Sequence, residues 1–534
     1  MAKVRVGPDD PGLTYLQARA ASMTGDHARA AALMATLAEA QPDQPDLARN
    51  ALSEAIGAGQ MDLALELTRR VPQARLTTDA KLLLAAQELR RNRPDRALPW
   101  LTTKGESGSL DFLAPLVTAW TAAQRGDLNA ALAGLDQIPA NGLLAPLRAE
   151  ERALILLKFK RTADAKPFAE RAVAAAGNRE NRLRLAFADA FLAAGDRASA
   201  LEMVEGMGIA AGPSRARVLA GKTSGIAVDT PAEALSEVLT GFAADVARMA
   251  RSAPPIGLVQ VARYANPENS GAVVLLALLL DDQERSDEAV AILKTVPAND
   301  PLAGQARDIQ VRILTDQKNF NEAYAVAQSA ALRSDADISD FSRVGDVYEA
   351  MKRHDLAADA YGKAAALATA QNLKTELWPL LLLQANALEE GKRWPEAKQA
   401  LERALVIAPE QPLLLNFLGY AKLERGEDLD SSEAMIRKAS ALSPDDASIT
   451  DSLGWAQFKR GKVADAISTL QRAAEKDPDQ AEIQEHLGDA LFTSGRRFEA
   501  RFAWSAALVT AEDDVATRLH GKLASGLTPA NAAP

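Results

Sequence analysis

The chain has 534 residues, 48% of them hydrophobic and 25% charged, which excludes an intrinsically disordered polypeptide. The net charge of −10 argues against nucleic acid as a partner, because phosphate binding needs a basic face. With no cysteine there are no disulfides, no thiolate metal ligands and no cysteine nucleophile, and reducing and oxidising compartments fit equally well.

In chain order, "MAKVRVGPDDP" (1–11) reads as a flexible N-terminus without an apolar signal region, so the sequence as given reads as cytoplasmic. A periplasmic location follows if Met1 replaces an export signal. Residues 12–205 read as a degenerate array of amphipathic helix pairs, carried by segments such as 24–42, 91–101, 124–135 and 193–204. Residues 206–268 break the phase with Pro213, Pro231, Pro254 and Pro255, and read as an irregular helical joint containing a helix near 231–251. The pairs resume over 269–513 and are strongest at 378–513. Residues 514–525 read as a cap helix and 526–534 as a loose tail. The apolar runs 272–280 and 377–383 are too short to cross a bilayer, which needs about 20 residues.

The pairs repeat. Pro409, Pro444 and Pro478 are 35 and 34 residues apart, as are Gly419, Gly454 and Gly488; Ala404, Ala439, Ala473 and Ala507 keep the same interval. Each unit holds two amphipathic helices and a proline-marked turn. With Leu418-Gly419, Leu453-Gly454, Gly461, Ala466, Leu487-Gly488, Gly495 and Ala500 in register, the sequence resembles the tetratricopeptide repeat, and in style the long bacterial multi-repeat scaffolds. The resemblance implies an all-α fold: an α-solenoid, a right-handed superhelix of helix–turn–helix units, in two arrays on either side of the joint. Glycine inside a helix costs about 1 kcal/mol. Gly454 is expected where the first helix of a unit (A) crosses the second (B) closely, with Ala466 and Ala473 as the small residues opposite.

Motifs for chemistry fail on inspection. "AGKTSG" (220–225) lacks the leading glycine and the strand of a phosphate loop, and "GMGIAA" (206–211) follows a helix instead of a strand. "DADISD" (335–340) spaces acids like a calcium loop but has Asp340 at the turn glycine and Asp346 at the last ligand, so the acids read as a helix N-terminus. His27, His354, His486 and His520 pair at no metal-ligand spacing. The sequence therefore assigns no catalytic, cofactor or metal site, and the chain reads as non-enzymatic.

The resemblance places binding on the concave face, lined by A helices. It selects Asn416, Tyr420 and Leu423; then Asp451, Trp455, Phe458 and Lys459; then Glu485, Asp489 and Phe492, preceded by Asp346, Glu349, Asn386 and Glu389. Trp455 follows Gly454, about 100° further round the helix, and Phe458 continues that stripe. Tyr420, Trp455, Phe458 and Phe492 are expected to form an aromatic ladder rimmed by carboxylates; the competing reading packs them within the A-helix layer. The lysine–asparagine clamp with which some family members hold a carboxylate is missing. The expected function is a scaffold or adaptor that binds a partner protein or peptide in the groove. The alternative is a homo-oligomeric structural component or an accessory subunit of a bacterial envelope assembly or export machinery.

Overall fold

The structure, a computed structural model, describes residues 10–102, 110–141, 145–207, 217–223, 228–249, 254–334 and 336–533. Most of the expected flexible N-terminus, Pro213, most of "GMGIAA", Ser224, Gly225 and Asp335 lie outside the described residues. Among the described residues there are helices and turns and no strand, and no helix is long and apolar enough to cross a membrane. The chain divides into two compact units, residues 1–327 and 328–534.

In the first unit six hairpins run from Pro11–Met23 paired with His27–Ala40 to Glu180–Ala194 paired with Arg197–Glu205. Acidic caps start several helices: Asp26, Asp127 and Asp196 each accept a backbone N–H of the first turn. The segment expected as a joint supplies Pro231–Ala247, opened by a Thr230–Glu233 capping box, and Ile256–Ala265. The first packs on the A helices Thr78–Arg90 and Ala114–Gln124, and the second on Pro45–Gly57 and Thr78–Arg90. Phe242 meets Phe112 edge-on at 5.4 Å, and the Arg90 guanidinium lies 4.5 Å from the Tyr264 ring centroid. These two helices thus lie across the A-helix face of the N-terminal hairpins.

The second unit is a regular array. Ile338–Ala350 pairs with His354–Ala370, Lys374–Glu390 with Trp394–Ile407, Pro412–Glu424 with Leu429–Leu442, Ala447–Lys459 with Val463–Lys476, and Ala481–Thr493 with Arg497–Thr510. Asp513–Ser525 packs on the last pair. The repeated alanines Ala404, Ala439, Ala473 and Ala507 are all fully buried. Asp337 and Asp340 form a capping box at the start of Ile338–Ala350, so the "DADISD" acids described here serve a helix N-terminus.

Gly454 does sit at a close crossing, but Leu470, not Ala466 or Ala473, faces it. A Cβ on Gly454 would lie 2.6 Å from Leu470 Cγ. The same relation recurs at Gly345 with Tyr361, Gly419 with Ile436 and Gly488 with Trp504. The A-helix glycine makes room for a large B-helix side chain, and burial of that side chain offsets the helix-propensity cost.

Turns between A and B helices are left-handed at one residue. Glycine fills this place at Gly426, Gly461 and Gly495, whereas Lys318, Lys352 and Lys392 adopt φ near 57–59°. A non-glycine residue there is strained by roughly 1–2 kcal/mol. Opposite signs are therefore expected at equivalent turns. Lys352→Gly should raise unfolding stability by up to about 1 kcal/mol, and Gly461→Ala, with open space around its Cβ, should lower it by about 1 kcal/mol or more. Urea denaturation of the two variants checks both signs.

Candidate functional site on the C-terminal A helices

Ala447–Lys459 starts at Asp446, whose carboxylate accepts the Ile449 N–H at 2.9 Å. This sets the helix phase and turns Asp451, Trp455 and Phe458 towards the neighbouring A helices. Asp451 is 4% exposed, and its Oδ2 lies 2.9 Å from Nδ1 of His486. Burial opposes charge on His486, but the Asp451 carboxylate more than offsets this, and its pKa is raised.

Trp455 stacks on the His486 ring at 4.0 Å and 11°, and on Phe458 at 4.9 Å and 19°. Its indole N–H donates to Glu424 Oε1 at 3.1 Å, and the Lys459 ammonium lies 5.2 Å from its ring centroid. Trp455 is only 1% exposed. The expectation that it presents an open anchor is corrected: it is a packed side chain, with Tyr420 and Phe458 against the same cluster. Phe492 leaves the expected ladder and pairs with Trp504 at 5.4 Å.

Leu423, Glu485 and Asp489, expected on the open groove, are also buried. The cover comes from the C-terminal segment. Arg518 donates to both Glu485 oxygens at 2.8 Å, and the fully buried Lys522 ammonium donates to Glu485 at 2.6 Å and to both Asp489 oxygens at 2.7 Å. Asp489 also accepts the Trp504 indole N–H at 2.9 Å and the Ala533 backbone N–H at 3.1 Å. Burial would raise the Glu485 pKa, but the Arg518 and Lys522 hydrogen bonds hold it below its ordinary value. Burial wins at Asp489, where Lys522 offsets it only in part and the pKa is raised. Residues 526–533, expected as a loose tail, bring Ala533 against the Leu423–Leu453–Trp455 cluster, and Phe492 lies beside Gly526.

The open part of the groove lies one hairpin earlier. Asn386, Asn416, Phe417, Tyr420, Ser448, Asp451 and Glu482 line a cleft of about 250 Å³. The Tyr420 hydroxyl points to Glu482 Oε1 at 3.5 Å; burial first, then Glu482, Glu424 and Asp451, raise its pKa. Asp451 Oδ1 and Asn416 Oδ1 are buried with no hydrogen-bond partner among the described residues. Asp451, Glu482 and His486 offer one metal-ligand atom each within 4.8 Å of one another, although Nδ1 of His486 is already engaged with Asp451.

Of the residues expected from the sequence, Asn386, Asn416, Tyr420 and Asp451 line this cleft; Ser448 and Glu482 beside them, and His486, Arg518, Lys522 and Ala533 around them, were not expected. A signal existed. Residues about one repeat apart lie side by side on neighbouring helices: Asp451 with His486, Glu485 with Arg518, Asp489 with Lys522.

Stacked hairpins with a groove along their A helices define an all-α solenoid, a class whose exposed faces serve protein interaction. Residues 452–515 match the tetratricopeptide repeat family. Among solved structures it is similar to a tetratricopeptide repeat protein from Parabacteroides merdae, with 16% identity, a TM-score of 0.38, and 47% of this chain and 96% of that one covered. It is similar also to a chain of the APC/C hetero-tetramer Cut9–Hcn1, at 14% identity and a TM-score of 0.37 over 98% and 97% of the two chains. A third is YrrB, a tetratricopeptide repeat protein with an unusual peptide-binding site, at 19% identity and a TM-score of 0.29 over 37% and 97%. No curated protein sequence gives a significant match.

Proposed function

We propose that the chain is a non-enzymatic scaffold that binds a partner protein through the A-helix groove of its C-terminal unit. The observation that carries this reading is the cleft where Asn416, Tyr420, Asp451 and Glu482, from three successive A helices, converge. A surface built from several stacked helices is preformed, so little ordering entropy is lost when a partner docks. Of the residues expected from the repeat register, Asn386, Asn416, Tyr420 and Asp451 line the docking surface, with Ser448 and Glu482 beside them. Trp455, Phe458, Leu423, Glu485, Asp489 and Phe492 support that surface from beneath or beside it, and Lys459 stands at its edge.

Photo-crosslinking tests this. A benzophenone side chain is placed at the exposed Ser448 and, separately, at Phe502, which is 61% exposed on the outer helix of the last hairpin. Partner adducts are expected from position 448 and not from 502. Adducts from 502 alone would overturn the groove assignment.

A further inference from the structure

We infer that the cleft between Asn416, Asp451 and Glu482 takes the guanidinium of an arginine side chain presented by the partner. The inference rests on the proposed groove reading and names its anchor.

Asp451 Oδ1 and Asn416 Oδ1 are buried acceptors that no donor among the described residues reaches. Each such group left unpaired costs about 1–3 kcal/mol, a cost removed when a ligand supplies the donor. His486 holds the other Asp451 oxygen at 2.9 Å and so fixes which oxygen faces a ligand. Glu482 adds a second carboxylate, on the exposed rim. Among the described residues no lysine or arginine forms an ion pair with Asp451 or Glu482, whereas Glu485 and Asp489, on the same helix as Glu482, are both matched by cations. The missing group is a cation with several donors.

Geometry favours a guanidinium over an ammonium. Its N–H groups form a planar fork that can serve spread acceptors together, and its flat face packs on aromatic rings such as Tyr420 and Phe417, which also line the cleft. A divalent cation is the competing occupant of Asp451, Glu482 and His486. It would have to displace the hydrogen bond that already joins two of its three ligands.

The test is calorimetry on the full chain at low salt with three peptides, Ac-Ala-Ala-Xaa-Ala-Ala-amide, where Xaa is arginine, lysine or citrulline. The arginine peptide is expected to bind about tenfold more tightly than the isosteric, neutral citrulline peptide. Glu482→Gln, at an exposed position that leaves folding intact, should weaken it several-fold, and Asp451→Asn should weaken it further. Equal binding of arginine and citrulline, equal binding of lysine, or no binding of any peptide would overturn the inference. So would manganese or zinc chloride binding that displaces the arginine peptide and is lost in Glu482→Gln. Failure here is separable from failure of the groove reading. Adducts at Ser448 that map to a partner segment without arginine leave the groove standing and remove the anchor, whereas adducts at Phe502 alone remove both.

Discussion

Lys522→Ala is expected to destabilise the C-terminal unit by about 3–5 kcal/mol, the usual cost of removing one partner from a buried ion pair. Lys522 is fully buried and donates to Glu485 and to both oxygens of Asp489. Glu485 keeps Arg518 after the substitution, but Asp489 loses the one ion-pair partner it has among the described residues. The loss should be local at first, because repeat arrays unravel from their ends. Hydrogen exchange is expected to rise across 513–533 well before it rises across 338–407. Pairing the change with Asp489→Leu should recover part of the loss, since the carboxylate that Lys522 leaves behind is then gone and Glu485 keeps Arg518. A loss under about 1 kcal/mol for the single variant would show that the C-terminal helix is held by its apolar contacts, such as Leu519, instead.

The second large effect is expected at Trp455→Ala, at about 3–5 kcal/mol, from the cavity left by a side chain that is 1% exposed. The change also removes the stack on His486 and the hydrogen bond to Glu424. Trp455→Phe should cost less, since it keeps much of the ring packing but not the N–H donor. Chemical denaturation of both variants checks the order. The consequence for function is practical. Loss of partner binding in Trp455→Ala would report unfolding of the groove and not loss of an anchor, so substitutions at the rim, such as Glu482→Gln, are the ones that isolate recognition.

Much of the fold could be read from the sequence. The repeat interval fixed by Pro409, Pro444 and Pro478, together with the buried alanines Ala404, Ala439, Ala473 and Ala507, sets the helix pairs of the second unit. Gly454 announced a close crossing, yet its opposite number was misjudged. Leu470 lies across from it because the glycine leaves a hollow that a large side chain fills, not a flat seam between small ones. The site was less legible. A helical register tells which way Trp455 and Asp489 point, but not whether another part of the chain lies on top of them. "GLTPANAA" carries no apolar periodicity that would mark it as docked, yet Leu527 and Ala533 pack and the Ala533 N–H bonds to Asp489. In the same way, nothing in the prolines around 206–268 says that the helices Pro231–Ala247 and Ile256–Ala265 lie on the N-terminal hairpins.

The one-repeat offset between partners also bears on how the chain is made. Glu424 receives its donor from Trp455, Asp451 from His486, Glu485 from Arg518 and Asp489 from Lys522. In each case the later residue completes the earlier one. During synthesis each new helix pair of this C-terminal stretch therefore brings groups that satisfy the hairpin just ahead of it. Contacts this local favour fast, stepwise condensation from the N-terminal side. Over the hairpins between 412 and 510 the unsatisfied surface is therefore short-lived, whereas the A-helix face of the N-terminal hairpins waits for Pro231–Ala247 and Ile256–Ala265 before it is covered.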